Sequence, residues 1–167
     1  MLRYLFTLLA ATVFFAITAL ADDKTTALDR DRKALQGVWV VEAAYRDGEK
    51  VADQQRMEGA TLYAIKIADD KFQISLEKSG YEFRYGGAPV SFSLDVSVDP
   101  KVIEFEFSPS EKGYCIYSIK EDKLTLCLNY SDGALGASTK DRAKLPAKLE
   151  TKNGDGRYMF GLKKAKG

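Results

Sequence analysis

The chain contains no histidine. That removes the side chain whose ordinary pKa lies closest to neutral, and with it the commonest metal ligand. Ser-His-Asp and Cys-His mechanisms are closed to it, which leaves Asp, Glu and Lys for any proton transfer. Charge of one sign is lacking too, since 25 Lys and Arg stand against 24 Asp and Glu. Arg3 is the only charged residue among the first 21, so the remainder carries 24 of each sign. A balanced chain has no long-range field to draw in nucleic acid or an anionic membrane, so a nucleic-acid partner is not expected. After residue 21 no apolar run approaches the roughly 20 residues a membrane-spanning helix needs, so stable membrane insertion is not expected either.

What is present begins with a leader. Arg3 supplies a positive start, Leu5 to Ile17 form an apolar run interrupted by Thr7 and Thr12, and Ala19-Leu20-Ala21 is a small-residue cleavage site before Asp22-Asp23. Residues 1–21 are therefore expected to be a signal peptide, with the mature protein exported to the periplasm or secreted. Cleavage after Ala21 leaves 146 of the 167 residues, about one domain's length.

Residues 22–34 form a charged lead-in, read as a short helix or coil. From Val38 the apolar period becomes two: Trp39, Val41, Ala43 and Tyr45 fall on one face, up to a turn at Asp47-Gly48. Residues 51–58 are polar and suit one short helical turn. Further alternating runs follow at Tyr63–Ile67, Phe72–Leu76, Tyr81–Tyr85, Val90–Val96, Ile103–Phe107, Tyr114–Ile119, Leu124–Asn129 and Tyr158–Leu162, each bounded by Gly, Pro, Asn, Asp or Ser. About nine short strands with one apolar face each imply an all-β antiparallel barrel or sandwich formed by residues 35–167 as a single domain.

The segments LQGVWVVEAAYRDGEKV (35–51), DDKF (69–72), IYSIKEDKLTLCL (116–128) and TKNGDGRYMFGLKK (151–164) together resemble a family of small secreted lipocalin-like domains expanded in planctomycete bacteria. The resemblance covers nearly all of the chain after the leader. It implies a lipocalin-like (calycin-type) barrel of about eight or nine strands. It also implies a structural role for Gly37 and for Trp39, buried at the closed end beneath a basic residue from the far end of the chain: Arg157, Lys163 or Lys164. The family pattern is departed from in two turns, at Lys120-Glu121-Asp122 and Lys152-Asn153-Gly154.

The function expected is a non-enzymatic extracytoplasmic binding domain holding a small hydrophobic or amphipathic ligand inside the barrel. The alternative is a solid-core interaction or envelope-structure module acting through its loops. Tyr45, Tyr63, Tyr85, Phe92 and Tyr117 are the candidate ligand contacts, because an apolar pocket with a few hydroxyls is how small-molecule sites are built. No expected inward position is charged, so the ligand should be neutral or keep its charge at the mouth. Glu104 and Glu106 are two carboxylates on one strand face, as a glycosidase requires, but the pattern turns them to solvent, and no catalytic residue is assigned. Asp69-Asp70 and Asn153-Gly154-Asp155-Gly156 carry too few carboxylates for calcium, and no metal or cofactor is expected. For the two cysteines, an even loop in the 114–129 hairpin turns Cys115 inward and Cys127 outward as free thiols. An odd loop would set them opposite each other and permit a disulfide.

Overall fold

The structure, a computed structural model, describes residues 26–51, 56–57, 60–79, 82–129 and 141–166; of these, 56–57, 60–61, 76–79, 82–87 and 129 are described by their backbone alone. The expected signal peptide lies outside the described residues.

The lead-in becomes helix α1 over residues 26–35. Its sequence is dominated by good helix formers (Ala, Leu, Arg, Lys), and it buries Asp31 and Leu35, which stand one turn apart on the same face. The chain leaves the helix through Gly37 at φ +118°, a conformation that suits glycine. A helix end leaves its last four carbonyls without intrahelical partners, and side chains take three of them here. Gln36 Nε2 donates to the Arg32 carbonyl at 3.0 Å, Lys164 Nζ to that of Ala34 at 3.0 Å, and Trp39 Nε1 to that of Leu35 at 2.7 Å.

Strand β1 (Gly37–Arg46) follows, then β2 (Glu49–Lys50), β3 (Arg56–Met57), β4 (Ala60–Thr61), β5 (Ala64–Ala68), β6 (Lys71–Ser79), β7 (Glu82–Asp95), β8 (Lys101–Ser108), β9 (Glu111–Lys120), β10 (Lys123–Asn129) and β11 (Arg157–Lys164). The strands β5 to β11 pair consecutively, β5 also pairs β1, and β1 pairs β11, so eight antiparallel strands close into a barrel. β2 is the extra strand beside the second half of β1. β3 and β4 form a separate two-stranded pair, where the sequence suggested a helical turn. The hairpin turns come where Asp-Gly and Asp-Asp predicted them, with Asp47, Gly48 and Asp69 all at positive φ.

Two departures from the expected strands shape the interior. The register of β1 against β11 shifts between Val41 and Ala43. A β-bulge of this kind exchanges inward and outward positions downstream of it. Trp39 and Val41 face the core as expected, but after the bulge the inward residues are Ala44, opposite Phe160, and Arg46, opposite Tyr158. Second, the expected strands at 81–85 and 90–96 are one strand, β7. Opposite β6, Phe72 pairs with Val90 and Ile74 with Gly86, so residues 87–89 arch out of the ladder. Gly86-Gly87, which bound the expected strand at 81–85, and Pro89 mark that irregularity, since Pro cannot donate to a ladder and Gly tolerates its bend.

The core runs the length of the barrel. Trp39, Ile65, Ile103, Tyr117, Leu124, Phe160 and Leu162 are almost completely buried, as is Leu35 from α1. A smaller core lies outside the wall. Val102, Ile116 and Cys127 are buried there beside Tyr114, Leu145, Leu149 and Met159.

Candidate functional site

The barrel has two unlike ends. One is closed by α1. Trp39, 0% exposed, lies beneath Leu35 and carries Lys164 Nζ 5.2 Å from its ring centroid. The basic residue over the indole is thus Lys164, not Arg157. Arg157 begins β11, about 23 Å from Lys164 along the strand at ~3.3 Å per residue; it lies 3.5 Å from Asp155 and its carbonyl accepts from the Asp47 amide. Gly37 belongs to the same cluster as Trp39. A Cβ there would stand 3.1 Å from Lys164 Cε, in the path of the side chain that reaches the helix and the indole.

Asp31 completes the closure. Its carboxylate, nearly buried, accepts from Lys101 Nζ at 2.7 Å and from the Tyr117 hydroxyl at 2.8 Å. A buried carboxylate needs such partners. Burial, and then donation to Asp31, push the Tyr117 phenol well above its ordinary pKa. Gln36 pins the helix end to the β5–β6 turn: its Oε1 accepts from the Asp69 amide at 2.7 Å and its Nε2 donates to the Asp69 carbonyl at 3.2 Å.

The five candidate contacts do not converge on one place. Tyr117 is inward but at the α1 end, with its hydroxyl committed to Asp31. Phe92, 8% exposed, is packed into the core and paired with Phe105. Tyr45 is turned to the outer face by the β1 bulge, where it pairs with Met159. Tyr63 is half-buried, and its backbone bridges β1 and β6 by accepting from Val41 and donating to Ser75. Tyr85 pairs with Ser75 in β7, and its side chain lies outside the described residues.

At the end opposite α1 the bulge delivers a residue the alternating pattern assigned to the outer face. The Arg46 guanidinium sits 5.6 Å from the centroid of the Tyr158 ring, whose residue is 3% exposed. Tyr158 stacks on Phe160 at 5.9 Å, and Phe105 on Phe107 at 6.2 Å, with Phe107 half-buried. The expectation that no inward position is charged is therefore corrected: Arg46 is inward, and half-exposed at that end of the barrel. The only signal for it in the sequence would have been the bulge, which no residue type in β1 announces.

Most of the remaining chemistry is outside the barrel interior. Glu104 and Glu106 pair with Ser93 and Ser91 across the strand, and Glu104 is bound by Lys112. With Asp70 they line a shallow hollow of about 180 Å³. A second hollow, of about 480 Å³, lies between α1 and the β5–β6 turn and is lined by Asp29, Arg32, Lys33, Gln36, Asp69 and Asp70. Both cysteines are free and buried. The hairpin keeps the even register, Leu124 against Ile119 and Leu126 against Tyr117, which sends Cys115 into the barrel and Cys127 to the outside. Burial raises both thiols, Cys127 to about 11, so neither is a ready nucleophile. Among the described residues no group of three or more Cys, Asp or Glu could hold a metal ion, and no helix is long and apolar enough to cross a membrane.

Comparison with family models, with curated proteins and with solved structures gives no match.

Proposed function

We propose that this chain is an extracytoplasmic, non-enzymatic binding domain that takes a small apolar or amphipathic ligand at the barrel end opposite α1. The asymmetry of the two ends carries this reading. The α1 end is shut by Leu35, Asp31 and Trp39. The other end carries a half-buried Phe107, and Arg46 lies over the buried Tyr158 ring there, so apolar surface stands beside a cation at the rim. An amphipathic molecule would lie against the rings with its polar part toward Arg46 and water, which avoids burying a lone charge. Export rests on the leader at 1–21 and on the resemblance to secreted lipocalin-like domains. A mature protein whose intact mass begins at Asp22 is the expected result; a retained leader would remove that support.

The binding test is a titration with a neutral polarity-sensitive dye and with an anionic amphiphilic one. Saturable binding is expected at tens of micromolar or tighter, where the free energy is on the order of 6 kcal/mol or more. Phe107→Ala should weaken it several-fold. Ile119→Ala, equally half-buried but beside α1, should leave it unchanged.

The density of the core favours a second reading. Trp39, Tyr117, Phe160, Phe105 and Phe92 are all under 9% exposed, as in a barrel filled by its own side chains. If no dye binds saturably, the solid-core interaction module becomes the better description.

A further inference from the structure

Residues 141–150 cross the outside of the barrel wall without joining its sheet. They begin at Asp141, whose side chain accepts from the Ala143 amide and starts the single 3-10 turn Arg142–Lys144. They run past buried Pro146 to Glu150. Beneath them lie Val102, Ile116 and Cys127, one from each of three adjacent strands, with Leu145 and Leu149 packed on top. The backbone–backbone hydrogen bonds within this segment are local, Lys144 to Asp141 and Leu145 to Arg142; among the described residues no bond of that kind links it to a strand. Side chains hold it instead: the Arg142 guanidinium on the Asp95 carboxylate at one end, the apolar contacts of Leu145 and Leu149 along its length, and the Cys127 thiol, which donates to the Glu150 carbonyl at 3.8 Å. Asp95 is itself fixed, accepting from the Ser97 hydroxyl and amide, and this pairing holds its carboxyl below its ordinary range. The far end is anchored. Thr151 Oγ1 accepts from the Gly48 amide, and Asp47 Oδ1 from the Gly156 amide.

We propose that residues 141–150 form a hinged strap that lifts from the outer wall while the barrel stays folded, with the Arg142–Asp95 pair as its latch and 151–156 as its hinge. Every barrel strand is held by ladders on both sides, whereas the strap is held by a few side chains. Segments held in that way open at a lower free energy than the whole fold. Lifting the strap uncovers Val102, Ile116 and Cys127, an apolar strip beside Tyr114 and Met159 on the outer wall.

The two cysteines provide the measurement. Both are about 1% exposed or less, but Cys115 faces the barrel interior and Cys127 lies under the strap. Only unfolding of the barrel can free Cys115; lifting the strap is enough to free Cys127. The experiment alkylates the native wild-type protein with iodoacetamide, follows each cysteine by peptide mass spectrometry, and normalises each rate to that of the same cysteine in denaturant. Cys127 should react at least tenfold faster than Cys115, and Arg142→Gln should raise the Cys127 rate several-fold further while leaving that of Cys115 unchanged. Equal normalised rates would overturn the strap, because both thiols would then report one global opening. A faster Cys127 whose rate is indifferent to Arg142→Gln would overturn the latch, and so would a variant that accelerates both cysteines together.

Discussion

At the scale of the residue, Trp39 ties three parts of the molecule together: it fills the end of the core, caps α1 through its indole N–H and receives Lys164 on its ring. These contributions are separable. Trp39→Ala should cost about 3–5 kcal/mol, the size of a deleted core aromatic. Trp39→Phe keeps most of the volume and should lose less, leaving the Leu35 carbonyl without its donor. Lys164→Met retains the stem and removes the cation, and should cost on the order of 1 kcal/mol for the ring contact and the bond to the Ala34 carbonyl. Denaturant melts of the three variants measure this; a Trp39→Ala cost below about 1 kcal/mol would contradict the burial described. The sequence pointed to this residue, because a lone tryptophan two places after a glycine opens the first alternating run. It could not decide which basic residue lies over the ring, because that depends on which end of β11 meets the start of β1.

At the scale of the element, α1 was legible as a helix or coil, but its docking was not. Its charged sequence reads as a solvated face, and the residue that docks it, Asp31, looks no different from Asp29. The distinction is tertiary: Asp31 meets Lys101 and Tyr117, 70 and 86 residues away. Asp31→Ala strips the buried Tyr117 hydroxyl of its acceptor, and an unsatisfied buried polar group costs about 1–3 kcal/mol. Tyr117→Phe in the same chain removes that orphan, so the double variant should be no less stable than Asp31→Ala and is expected to recover part of its loss. Thermal melts of the four-protein cycle give the coupling, and strict additivity would show that the two groups do not act as a pair. The β1 bulge was the other element hidden in the sequence. VVEAAY is apolar at five of its six positions, so nothing in it marks a change of period, and one extra residue sends Tyr45 out and Arg46 in. The candidate site suffered most from it, because a period-two reading assigns every later side chain of that strand to the wrong face.

At the scale of the whole molecule, the all-β architecture was readable from alternation and turn residues, while closure into a barrel was expected from the resemblance to lipocalin-like domains alone, since pairing of the first and last barrel strands leaves no local signature. Closure has a consequence for alkaline stability. It buries Cys115 and Tyr117 within the barrel, and the strap buries Cys127 against the outer wall. Burial raises all three, with Cys127 at about 11 and donation to Asp31 adding to the rise at Tyr117. In the unfolded chain these groups titrate near their ordinary values, roughly 8.5 for a thiol and 10 for a phenol. Above those values the unfolded chain has released protons that the folded chain still holds, so stability must fall as pH rises; below about pH 8 their contribution is fully present. The Tm should therefore decline from about pH 8.5 upward, and more steeply past pH 10. A Cys115→Ala, Tyr117→Phe variant removes two of the three titrating groups. It should melt lower than wild type at pH 7, because it gives up packing and a hydrogen bond, yet lose less Tm between pH 8 and 11. If both proteins lose the same Tm over that interval, the alkaline decline belongs to other groups and these two are not protected by the fold.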